Sequence, residues 1–292
     1  MTFQDVAARV FSLYGDADYE SALAVARDAR TSYPHEDNTL TFWEGCLLAR
    51  LGRKQEAVEV LLAGIERGEW WPTGKLIDHH LDPVRGEPGW EKVHAYCLEK
   101  TQSLLGQRPG PMVRDGTGDG TIVTIQGAHA LQETLFHTWT QATPGRWTVI
   151  TPVASEPTGD GRWEWPHSLG ASVKNLARDL EDIILPPPLI LSAFSIGSAI
   201  ACHMINSTES PAEGLIAVAP SSSADFEELI EATASVRSLL ICGDQDTRAD
   251  RYRQLESQLA ERAHVDFDLV KGLGHAYPSD LHVRVSQFLA DY

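Results

Sequence analysis

At 292 residues, with 42% hydrophobic and 22% charged residues, the chain has the composition of a folded globular protein long enough for one large or two modest cores. Its formal charge of −17 is spread along the chain and repels phosphate backbones and anionic headgroups, so neither nucleic acid nor an acidic membrane is an expected partner. No run of 18 or more apolar residues occurs, so no membrane span is expected. The opening MTFQDVAARVF lacks a basic stretch followed by an unbroken apolar one, so no secretory signal is expected. Cys46, Cys97, Cys202 and Cys242 form no CxxC pair, which predicts buried thiols in a reducing, cytoplasmic setting and no zinc site.

Residues 1–106 are predicted to be all-helical. Tyr19, Ala22, Leu23, Ala26 and Ala29 form one helical stripe. Phe42, Trp43, Cys46, Leu47 and Leu51 form a second that stops at Gly52, and Ala57, Val60, Leu61 and Ile65 a third that stops at Gly68. YESALAVARDA and KQEAVEVLLAG align, with Ala22 on Ala57 and Ala29 on Gly64 at a common offset of 35 residues. This degenerate pair of units resembles tetratricopeptide repeats, in which small residues let paired helices approach. The resemblance makes this half either a cover for the rest of the chain or a surface for a protein partner or a second copy. In the same half, Asp78-His79-His80 is read as solvated, because neighbours on a helix point about 100° apart and cannot readily share a metal. Residues 107–120, beginning QRPGP, read as a linker.

From Thr121 to Tyr292 the texture changes to short β-branched runs alternating with amphipathic helices. The runs are TIVTI, WTVI, LILSA, LIAVA, VRSLLIC and VDFDLV. Such alternation predicts an α/β domain: a doubly wound, mostly parallel sheet of six strands with helices on both faces. VDFDLV alternates apolar with acidic residues, as an edge strand with one wet face would.

The stretch LILSAFSIGSAI sets Ser195 between small residues, Ala193 and Gly197, where a strand passes into a helix. A tight turn there leaves no room for larger side chains, lifts the hydroxyl above the sheet edge and turns the Ile196 N–H toward an oxyanion. Serine needs a base, and the base an orienting carboxylate. Asp244 and Asp246 follow the fifth run in GDQD, and His275 follows the sixth in GLGHAYP, so all three types fall at carboxyl ends of strands. His203, within AIACHMI, reads as a core histidine.

FSIG, GDQD and GLGHAYP in this order resemble the α/β-hydrolase superfamily, in particular its serine carboxylesterase, phospholipase and dienelactone-hydrolase branch. The resemblance covers about residues 121–292 and departs at Ala193, where the usual pattern has glycine, and at Gln126, where it has histidine before Gly127. It implies Ser195 as nucleophile, His275 as base and Asp246, in preference to Asp244, as the orienting acid. Ala128 and Ile196 would supply the oxyanion N–H groups, with no metal or organic cofactor. His129, Phe194, Trp163 and Trp165 would line the substrate pocket, the tryptophans from the long loop TPVASEPTGDGRWEWPHS. The implied activity is hydrolysis of a small carboxylic ester or thioester. A peptidase or lysophospholipase with the same triad is the alternative among enzymes, and a hydrolase-fold binding or scaffold protein without catalysis is the alternative outside them.

Overall fold

The computed structural model describes residues 3–77, 79–128, 130–159, 161–166, 168–207, 210–221 and 226–292. The chain divides into two units, one comprising Met1–Arg108 and Glu156–Arg162, the other Pro109–Ser155 and Trp163–Tyr292.

The first unit holds helices α1 (Phe3–Gly15), α2 (Tyr19–Ser32), α3 (Asp37–Arg50), α4 (Lys54–Glu66), α5 (Thr73–Leu76) and α6 (Trp90–Leu105). Helix α2 begins at Asp18, whose carboxylate accepts from the Ser21 N–H at 3.2 Å. It buries the predicted stripe of Ala22, Leu23, Ala26 and Ala29. Helices α3 and α4 approach closely at Gly45, where an added Cβ would sit 3.0 Å from Leu61 Cδ2. Helix α3 is buried on more than one side, and its Glu44 is neutralised by Arg27 at 2.7 Å and Arg30 at 3.0 Å. The histidine pair is held rather than loose: His80 Nδ1 lies 2.6 Å from Tyr14 Oη and the two imidazole centroids are 3.8 Å apart. Asp78 lies outside the described residues.

The second unit is built on a seven-stranded sheet: β1 (Met112–Arg114), β2 (Gly120–Ile125), β3 (Trp147–Thr151), β4 (Leu189–Phe194), β5 (Ala212–Val218), β6 (Arg237–Gly243) and β7 (Val265–Val270). Their spatial order is β1-β3-β2-β4-β5-β6-β7, with β1 antiparallel to β3 and every other pair parallel. Strand β1 falls in the segment read as a linker, so the sheet has one strand more than the six expected. Three residues carry no readable period, and β1 is fixed instead from outside. The Arg114 guanidinium donates to the carbonyls of Thr140 (2.6 Å), Thr143 (3.3 Å), Pro144 (3.1 Å) and Trp147 (2.9 Å).

The strands alternate between two cores, as a period of two requires. Val123, Leu191, Ala193, Leu215, Ala217 and Leu240 face helices α8 (Leu169–Leu180), α9 (Gly197–Ile205), α10 (Glu227–Ser235) and α11 (Ala249–Leu259). Ile122, Val149, Ile190, Ile216 and Ile241 face α7 (Gln132–Ala142) and α12 (Leu281–Leu289), through Leu135, Trp139, Val285 and Phe288. The sheet is thus mostly parallel and wound on both faces, with one antiparallel edge strand. Among the described residues no helix is long and apolar enough to cross a membrane.

Candidate active site

Strand β4 ends at Phe194, and Ser195 takes a φ of +52°, a left-handed conformation that costs a non-glycine residue free energy and is held by its neighbours. Its N–H donates to Val218 O at 3.1 Å, and its carbonyl accepts from Ser221 N at 3.1 Å and Ser198 N at 3.0 Å. The small residues around it have a steric reason. A Cβ on Gly197 would lie 2.5 Å from Ile125 O, and one on Gly127 would lie 2.8 Å from Phe194 Cδ1 and 3.2 Å from Ser195 Cβ. Ala193 is fully buried in the sheet.

The turn aims the serine hydroxyl at His275, whose Nε2 is 2.9 Å from Ser195 Oγ. On the other side of the imidazole, Nδ1 is 2.7 Å from Asp246 Oδ2. Asp246, 5% exposed, accepts at Oδ1 from the Arg248 N–H at 2.9 Å and from Thr247 Oγ1 at 3.3 Å, and Tyr252 Oη faces Oδ2 at 3.4 Å. Burial pulls its pKa upward, but the hydrogen bonds from His275 and the Arg248 N–H, with the nearby positive charge, hold it below the usual aspartate value.

Asp244, the other candidate, does different work. Its Oδ1 accepts from the Gly272 N–H at 2.7 Å, which ties the loop after β6 to the loop carrying His275. The Gln245 N–H to Leu273 O bond, 2.9 Å, is a second tie. The two loops touch at Gly243, where a Cβ would lie 2.1 Å from Leu273 O.

Two backbone N–H groups lie beside the Ser195 turn. Ile196 opens α9, and Ala128 follows Gly127 beside the nucleophile. Neither donates a hydrogen bond to another described residue. Gln126, where the resembled families carry histidine, is 2% exposed and acts as a clamp. Its Nε2 donates to Trp163 O at 2.7 Å, and its carbonyl accepts from Trp165 Nε1 at 3.1 Å. Trp163 and Trp165 are therefore tied to the loop after β2, with Trp165 half-buried against the core under α8 and α9. The Phe194 ring lies against His275 and Tyr277, with centroids 5.0 and 4.7 Å apart. His129 lies outside the described residues. His203 is not a core residue: its side chain is 44% exposed and Nδ1 is 3.5 Å from Glu228. Among the described residues no His, Cys, Asp and Glu group could hold a metal ion.

Sequence reasoning missed Gln126 as a clamp, together with Tyr252, Ser221 and the side chain of Arg248. Their contacts join segments distant in sequence, so no local pattern announces them.

No family model matches the chain, and no curated protein matches it. Solved structures do. An uncharacterised protein from Bacillus cereus ATCC 10987 is 18% identical, with a TM-score of 0.52 over 100% of this chain and 99% of that one. Acyl-protein thioesterase 2 of Zea mays is 15% identical, with a TM-score of 0.48 over 63% of this chain and 99% of its own. The monoacylglycerol lipase of Paleococcus ferrophilus is 11% identical, with a TM-score of 0.48 over 62% and 98%. The Bacillus cereus likeness runs through both units and is a likeness of fold. The chain has the α/β-hydrolase fold, preceded by a helical region.

Proposed function

We propose that the protein is a serine hydrolase of carboxylic esters or thioesters, acting through an acyl-enzyme. The observation that carries this reading is the continuous hydrogen-bonded line from Ser195 Oγ through His275 to Asp246, with contacts of 2.9 and 2.7 Å. His275 Nε2 takes the Ser195 proton as the Oγ–C bond forms. Asp246 accepts from Nδ1–H, which fixes the tautomer and stabilises the imidazolium. The Ala128 and Ile196 N–H groups receive the oxyanion. As the tetrahedral intermediate collapses, the alkoxide or thiolate leaves with the proton from His275. Water then attacks the acyl carbon as the same imidazole takes its proton, and His275 returns that proton to Ser195 Oγ as the C–Oγ bond breaks and the acid leaves. Trp163, Trp165 and Phe194 wall the substrate side. The arrangement uses no metal or organic cofactor in any of these steps.

The helical unit is read as repeat-like. Supporting that reading are the sequential packing of α2, α3 and α4 and the close approach at Gly45. The four buried cysteines, with burial pushing the Cys97 thiol up to about 11, suit a reducing compartment.

The test is turnover of short p-nitrophenyl esters and acyl thioesters by the full chain and by Ser195→Ala. The expected result is turnover by the full chain and a loss of about 10³-fold or more in the variant. Equal rates for the two proteins would reject the reading.

A further inference from the structure

Arg248 stands beside the triad, and the hydrolysis described above does not use its side chain. Its backbone N–H already serves Asp246 Oδ1 at 2.9 Å, while the guanidinium reaches past the carboxylate to Ser221. Nη2 is 3.4 Å from Ser221 Oγ, and Nη1 is 3.6 Å from Asp246 Oδ1, beyond a normal hydrogen bond. The Arg248 N–H, Thr247 and His275 supply the hydrogen bonds to Asp246, so the guanidinium adds its charge to that carboxylate but no close hydrogen bond. Ser221 is the residue whose N–H donates to the carbonyl of Ser195 at 3.1 Å. The guanidinium is therefore held within one serine's width of the nucleophile's backbone. Its side chain is 32% exposed, and most of its five donors have no acceptor among the described residues.

We propose that Arg248 is a specificity-determining residue that selects esters or thioesters carrying a carboxylate a few atoms from the scissile carbonyl. The proposal rests on the hydrolase reading and narrows its substrate class. A fixed guanidinium fork matches a carboxylate in a bidentate way. The neighbouring Asp246 carboxylate already offsets part of the guanidinium's charge, so what the fork offers is two directed donors, which suit a monoanionic carboxylate better than a phosphate dianion. In a chain of net charge −17, a locally held cation is also what an anionic substrate needs to approach the nucleophile.

The experiment compares kcat/KM for mono-p-nitrophenyl succinate and glutarate with that for the uncharged p-nitrophenyl butyrate, in the full chain, Arg248→Gln, Arg248→Lys and Ser195→Ala. Competitive inhibition by glutarate is measured alongside. The account expects the full chain to prefer one of the anionic esters. It expects that preference to fall about ten-fold or more in Arg248→Gln, with part retained in Arg248→Lys and glutarate inhibition weakened in step. An unchanged ratio in Arg248→Gln would overturn the proposal. Equal losses on charged and uncharged esters would overturn it too, since Arg248 would then act only through Asp246. If the full chain and Ser195→Ala hydrolyse every ester equally, the hydrolase reading itself fails, and the selectivity proposal falls with it.

Discussion

In the proposed mechanism the charge of Asp246, 2.7 Å from His275 Nδ1, fixes the orientation of the imidazole. Because its pKa is held below 3.8, it stays anionic well below neutral pH, so a loss of activity between pH 7 and 5 would not come from Asp246. Asp246→Asn keeps the shape but presents an amide that can donate toward Nδ1, which favours the wrong imidazole tautomer. Steady-state kinetics should show kcat/KM falling by about 10³- to 10⁴-fold while the melting temperature changes little. Tyr252→Phe tests the support behind the acid. Tyr252 Oη donates to Pro220 O at 3.0 Å and also faces Asp246, so its loss should cost about 1 kcal/mol in urea unfolding and less than about ten-fold in kcat/KM. The proposed nucleophile and base, Ser195 and His275, stand out in the sequence because small residues flank them, and Gly197 against Ile125 O shows why at the serine turn. Arg248 and Tyr252 do not, since nothing in their local sequence says that they converge on Asp246. Gln126 looked like a lost motif residue, and only the fold shows its hold on Trp163.

Each proposed catalytic side chain follows a strand, and the geometry depends on how neighbouring strand-end loops lock together. Gly243→Ala would press a methyl against Leu273 O, 2.1 Å away, and push the His275 loop outward. We expect a folded variant with circular dichroism like the parent and kcat/KM lowered by about 10²-fold, the scale of an ångström's misplacement. Asp244→Ala removes the tie at Gly272 without a clash, so its loss should be smaller, about ten-fold, with faster hydrogen exchange confined to residues 271–276. The parallel strands were readable because the central ones are short apolar runs buried on both faces and the edge strand β7 alternates apolar with acidic residues, while β1 was not, because its three residues are placed by Arg114 bonding to carbonyls far along the chain. The assignment of His203 to the core failed for a related reason: α9 is apolar nearly all round and Cys202, Met204 and Ile205 are buried, yet this one side chain turns outward beside Glu228.

At the scale of the molecule, charge and chain path both have consequences. Hydrogen bonds from Ser21, Arg53 and Arg284 chiefly lower the carboxyl pKa values of Asp18, Glu56 and Asp280, and Asp246 is lowered as well. Such groups stabilise the fold above the unfolded carboxyl values of about 4, and that stability is lost as pH falls through the lower folded values. Falling pH also relieves the −17 self-repulsion on the way to the isoelectric point near 5.0. Calorimetry should therefore show a melting temperature that holds or rises from pH 8 to 5 and drops below about pH 4. A continued rise below pH 4 would contradict this. The division into units was only partly legible. Residues 156–162 join the helical unit, where Gly159 sits so close to Asn38 and the Trp70 carbonyl that a Cβ would clash at 2.1 and 2.5 Å. No composition shift marks that excursion. A fragment comprising residues 109–292 would strip these partners away, so limited proteolysis should nick it within 156–162 at protease levels that leave the full chain intact.

The central claim is that Ser195 is an activated nucleophile. The most direct test is incubation of the full chain with a fluorophosphonate probe and mapping of the adduct by mass spectrometry. The account expects one adduct, on Ser195, abolished in His275→Ala. Folded protein that takes up no probe, or takes it up elsewhere, would contradict it.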